Sequence, residues 1–282
     1  MHHVLFIGTI VLTISCSYNP AQQAPGDNKT NFDFGTDSDS AFHYYELGWS
    51  EILDYGRWSS SEEAFRNAVK HDPGFILGWS LVGRISSNKE ERVTILEHLD
   101  SRSNELNEYE QILLDIYSGN IERMNLRETG LQHDQSSGRD HMKIKEDQFR
   151  KFLSAYPNVS SALMEYIEIL HANHGPKVAL DTLVAQDAQL RMTHPFFIRY
   201  QSLLEAELGH IESAIQLAEE FEEVVNDSLT PEMYVLRGNL YEAMDNIEMA
   251  QIQYSLATSL DSSHLIAQSN KNRLESLIKD LR

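Results

Sequence analysis

The sequence is poor in the features that most folds use for reinforcement. It holds one cysteine, Cys16, in 282 residues, so no disulfide can form within the chain. Positive charge is scarce. The chain has 23 Lys and Arg against 43 Asp and Glu, a formal net charge of −20. That balance argues against nucleic acid as a partner, because a phosphate backbone must be met by clustered basic side chains. The same field repels an anionic membrane surface and favours a basic partner. The apolar run from Val4 to Ile14 is shorter than the roughly 20 residues a membrane-spanning helix needs. Strand signals are scarce too, since strict alternation of apolar and polar residues does not persist. Motifs that carry chemistry are missing: there is no Gly-rich phosphate loop, no nucleophile elbow and no paired-cysteine zinc spacing. No enzyme activity, catalytic residue, metal or cofactor is therefore expected.

What is present begins at the N-terminus. The run from Val4 to Ile14 has the length of the apolar region of a secretory signal. It ends at Ser15-Cys16, after which composition changes abruptly. This resembles the signal and lipobox of bacterial lipoproteins, with Thr13 standing where that family usually has Leu. The resemblance implies that residues 1–16 are a signal ending at a lipidated Cys16, whose acyl chains would hold an acidic protein at a membrane. Ser17 follows the cysteine where inner-membrane lipoproteins carry Asp, and no acidic run comes next. The resemblance thus implies a Gram-negative outer membrane, with the periplasmic face favoured over the cell surface. Residues 17–40 are rich in Asn, Gln, Gly, Asp, Ser and Pro and read as a flexible tether.

From Ala41 onward apolar residues recur at three and four positions, the period of a helix face. The seven prolines and most glycines fall between such runs. From Pro231 the chain reads Tyr234, Gly238, Tyr241, Ala250, Tyr254 and Ala257. These spacings resemble the tetratricopeptide repeat, a helical hairpin of about 34 residues, with Gly and Ala allowing close approach and tyrosines filling the remaining volume. Arg237 takes the place of the usual Leu. An N-terminal copy shows Tyr44, Leu47, Gly48, Phe65, Ala68 and Pro73, with one extra residue in the turn around Gly56. Partial copies carry Trp79 and Gly83, Phe149 and Phe152, and Phe196, Gly209 and Ala214. The expected fold is an all-α, tetratricopeptide-like solenoid over 41–282. A helix from Leu265 to Leu281 would cap it, with Leu274, Leu277, Ile278 and Leu281 inward. Asn107 and Glu110 form a capping-box pair, and the polar stretch at about 119–142 reads as an inserted loop or broken helix.

Few residues invite a chemical reading. Glu165, Glu168, His171 and His174 recur every three positions, but the histidines precede Gly175-Pro176 and suit a helix C-terminus better than a metal. His133, Asp134 and His141 are a weaker metal set. Glu219, Glu220, Glu222 and Glu223 read as a solvated face. The family resemblance implies a concave groove that would include Arg199, Leu203, Val235, Asn239 and Glu242, with a mixed surface suited to an extended segment or helix. Two functions follow as expectations. One is a membrane-anchored scaffold holding protein partners of an envelope transport, secretion or assembly complex. The alternative is a solute- or glycan-binding lipoprotein working with an outer-membrane transporter, for which Trp49, Trp58 and Trp79 would be the aromatic platform.

Overall fold

The structure is a computed structural model and describes residues 32–129 and 135–280. The expected signal, Cys16, the tether as far as residue 31, His133, Asp134 and Leu281 lie outside the described residues. Among the described residues there are fourteen α-helices and no strand. They pair as α1 (Asp39–Leu53) with α2 (Trp58–His71), α3 (Ile76–Ile85) with α4 (Lys89–Arg102), and α5 (Glu108–Glu128) with α6 (Gln135–Ala155). The series continues with α7 (Ser160–His174) and α8 (Pro176–Val184), a short α9 (Ala188–Thr193), then α10 (Pro195–Glu207) with α11 (Ile211–Val225). It closes with α12 (Pro231–Ala243), α13 (Ile247–Leu260) and the final α14 (Leu265–Asp280).

The sequence punctuates these helices directly. Pro176, Pro195 and Pro231 each open a helix, where the missing N–H costs no hydrogen bond. Asn107 and Glu110 make a reciprocal capping box at α5. Hairpins close where small residues meet large rings. A Cβ on Gly238 would lie 2.5 Å from the Tyr254 ring, and one on Gly48 would lie 2.4 Å from Phe65. Ala250, Tyr254 and Ala257 are fully buried, while Tyr234 and Tyr241 pack partly buried at the margin. Arg237, the departure from the repeat pattern, is occupied: it clasps Glu222 of α11 through two nitrogens at 2.6 Å and lies over the Tyr234 ring.

Two expectations are corrected, and the choice between loop and broken helix at 119–142 is decided for the helix. The tether does not reach residue 40, because Phe32 and Phe34 are buried, Phe32 against Phe152 and Tyr156 and Phe34 against Tyr45. Two aromatics in a polar stretch are enough to tie it down. The stretch at 119–142 is helical over most of its length, as the end of α5 and the start of α6. Its inward apolar residues, Ile121, Met124 and Met142, are too few and too interspersed with Arg123 and His141 to read as an apolar stripe. On α14 the buried positions are Ala267 and Leu274, whereas Leu277 is exposed.

The stack is also fastened end to end. The turn between α1 and α2 docks onto the C-terminal hairpins. Asp54, itself buried, accepts from the Phe196 amide at 3.1 Å and so caps α10. Asp261 accepts from the Ser59 amide at 2.9 Å and its hydroxyl at 2.7 Å, capping α2. Each partner supplies the carboxylate that the other's helix start requires. The Glu232 amide donates to Tyr55 O at 3.3 Å, Arg199 to Leu53 O at 3.0 Å, and Arg57 to Asp227 at 2.5 Å. Gly56, at φ +66°, sits so close that a Cβ would meet the Glu232 carboxylate at 2.5 Å.

Candidate functional site

Three helices bring cations to one place. Arg84, in the last turn of α3, lies 5.3 Å from the Trp49 ring and 5.6 Å from the Tyr117 ring, and reaches Glu165 at 2.5 Å. Arg123 and Arg127 are four positions apart on α5, as His141 and Lys145 are on α6, so each pair shares a helix face. All five line one cavity of about 510 Å³. Trp49, Ile52, Phe65, Leu81 and Met124 give it an apolar wall, and Trp58 and Leu265 reach it from the starts of α2 and α14. Among the described residues no Asp or Glu lines it, in a chain that has 43 carboxylates.

The positive charge there is poorly balanced. Arg123 and Arg127 make no hydrogen bond or ion pair among the described residues. Lys145 is buried and donates to Asn120 Oδ1 at 3.0 Å. Burial pushes its ammonium down to about 8. Burial, reinforced by Lys145 and Arg123, pushes the His141 imidazole down to about 4. Scarce water and crowded like charge both disfavour the protonated forms. The indole Nε1 of Trp49 and the Nε2 of His141 are buried without a partner, although buried donors ordinarily find one.

A file of buried charge leads away from Arg84. Glu165 comes first, then Glu168 on the same face of α7, whose carboxyl burial pushes up to about 7. Next, Arg199 meets Glu232 at 2.7 Å, and His264 meets the same carboxylate at 3.1 Å. Burial opposes ionisation of Glu232, yet Arg199 and His264 hold its carboxyl below the usual range. Among the described residues no histidine ring is hydrogen-bonded to a serine or threonine hydroxyl. The pairings His194–Asp54, His171–Tyr200 and His174–Glu146 join one helix to another. Glu165, Glu168, His171 and His174 do not converge, and no group able to hold a metal occurs among the described residues.

The expected groove divides in two. Arg199 is buried where it donates to Leu53 O beside the α1–α2 turn, and Val235 is buried in the core that α12 shares with α13 and α14. Leu203, Asn239 and Glu242 line an open groove of about 710 Å³ with Ile266, Asn270 and Arg273. The Tyr254 hydroxyl lies 2.6 Å from both Asn239 Oδ1 and Glu242 Oε1 and has one proton to give, and Arg273 also holds Glu242 at 2.6 Å. Of the three tryptophans, Trp49 is buried, Trp58 is half-buried, and half-buried Trp79 spends its indole N–H on Pro73 O at 3.0 Å. Sequence reasoning missed the cationic cavity. Its trace was the repeated four-residue spacing Arg123/Arg127 and His141/Lys145, inside a stretch that looked like polar filler.

Two antiparallel helices per unit, closed by glycine–aromatic contacts and stacked in register, define an all-α solenoid of the tetratricopeptide type. No protein-family model matches the chain, and no curated protein matches it. Among solved structures, a tetratricopeptide repeat protein from Parabacteroides merdae is similar, with 13% identity over 84% of this chain and 99% of that chain and a TM-score of 0.40.

Proposed function

We propose that the protein is a non-catalytic scaffold, held by a lipid on Cys16 at the periplasmic face of a Gram-negative outer membrane. There it grips a protein of an envelope transport, secretion or assembly complex. The observation that carries this reading is the open groove between α10, α12 and α14. Leu203 and Ile266 offer apolar contact, and Asn239, Asn270 and Arg273 offer polar contact along one channel. Ile266 is 49% exposed, and Ile252 and Leu256 add exposed apolar surface on α13. Such a mixed, elongated surface suits an extended segment or a helix.

The test is purification of the tagged protein from solubilised membranes beside Ile266→Glu and Cys16→Ser versions. One protein recovered in near-equal amount with the parent, and lost with Ile266→Glu, is the expected result. Recovery of the parent alone would sink the scaffold. A Cys16→Ser protein that still sediments with membranes would sink the lipid anchor. The solute-binding alternative, with an outer-membrane transporter as collaborator, is favoured by a different observation, the cationic cavity.

A further inference from the structure

The cavity between α1, α3, α5 and α6 can be read by itself, whichever way the scaffold test falls. Elsewhere in the described chain most arginines find carboxylates, as Arg66 does with Glu62 and Glu91 and Arg237 with Glu222. At a net charge of −20, carboxylates are the most abundant partners available. Yet Arg84, Arg123, Arg127 and Lys145 surround one space from which carboxylates are missing among the described residues, and two of the four have no partner. Gathered cations oppose folding unless counter-charge is supplied, and here Glu165 supplies it to Arg84 from outside the space while Arg123 and Arg127 are paired with none among the described residues. The opposite wall is apolar, built on Trp49, Leu81 and Ile52. Trp49, 5% exposed, contributes its ring to that wall. The volume falls within the roughly 300–1,000 Å³ of small-molecule sites, and the fastening of the α1–α2 turn keeps the wall in place without a ligand.

We propose that this cavity binds a small amphipathic anion, its apolar body on Trp49 and Leu81 and its carboxylate or phosphate head between Arg123, Arg127 and Lys145. Guanidinium pairs recognise planar or tetrahedral oxyanions through paired N–H donors. The unpaired state of Arg123 and Arg127 leaves those donors free. The lowered basicity of His141 and Lys145 fits a site whose balancing charge arrives with the ligand. A glycan would be a poor occupant, because the wall offers few neutral hydrogen-bonding groups and its cations would gain little from hydroxyls. The ligand thereby differs in kind from the groove's protein partner.

The full chain in detergent-free buffer is titrated with 8-anilinonaphthalene-1-sulfonate, an aromatic anion that accepts excitation energy from tryptophan. Saturable binding at one site, with energy transfer from Trp49 and Trp58, is expected. Dodecanoate and dodecyl phosphate should displace the dye, and their order assigns the head group. Dodecanol and dodecyltrimethylammonium should not. Arg123→Gln with Arg127→Gln should weaken binding by about tenfold or more, the equivalent of losing a charge-assisted hydrogen bond. Its thermal melt should not fall, since neither side chain has a partner to lose and removing two unbalanced cations relieves repulsion. Lys70→Gln with Lys177→Gln, an equal charge change on exposed side chains, should leave affinity as it was. The proposal is overturned by absence of saturable binding, by equal displacement with the alcohol or the ammonium, or by full affinity in the double arginine variant.

Discussion

At Gly48 and Gly238 two helices lie so close that a single added carbon would enter an aromatic ring. The same contact recurs near both ends of the chain, and it was legible because it needs one residue type at one spacing from another. The extra residue in the first turn was legible too, as Gly56 at positive φ. What could not be read was the partner of that turn, since Glu232 and His264 lie far along the chain. Charge inside the stack was equally hidden, because Glu168 looks like any helix-surface carboxylate until its neighbours are placed. Its pKa is raised to about 7, first by burial. The folded protein therefore holds that proton more tightly than the unfolded chain does. The associated stability is fully present below the ordinary carboxylate range and falls as pH rises toward 7. Urea unfolding at pH 5 and pH 8 should show the parent losing stability over that interval by an amount on the order of 3 kcal/mol. Glu168→Gln should be nearly flat in the same comparison. Equal slopes for the two proteins would refute the assignment.

Among elements, the segment at 32–38 is the one most changed from expectation. It is too polar and too short of aliphatics to predict as ordered, and two phenylalanines decide the matter by crossing from α1 to α6. Phe34→Ala should cost about 3 kcal/mol, the usual price of emptying a buried aromatic site, and should lower the urea midpoint without altering helix content. An unchanged midpoint would mean that the segment is not part of the core. Helices α5 and α6 teach the complementary lesson. Periodicity finds helices by their apolar stripe. It weakens where Arg123, His141 and Lys145 interrupt the apolar positions that face inward, since a helix lining a charged cavity has a broken stripe.

For the whole molecule, the reciprocal caps matter more than any single interface. Asp54→Ala removes the buried acceptor from the start of α10, and Asp261→Ala does the same for α2. Each should cost about 1–2 kcal/mol. Hydrogen exchange should quicken at the Phe196 amide in the first variant and at the Ser59 amide in the second. X-ray scattering of the double variant should report a larger radius of gyration. An unaltered radius would show that the apolar contacts alone hold the ends together. The joint also bears on the order in which the chain can be completed. Neighbouring hairpins make mostly local contacts, so each can form as it is synthesised. The first hairpin nonetheless receives the cap for α2 from residue 261, a closure whose entropic cost grows slowly with the intervening length. The earliest helices to be made thus wait for almost the last, and a ribosome stalled before α10 would carry a nascent chain whose opening hairpin is folded but unlatched.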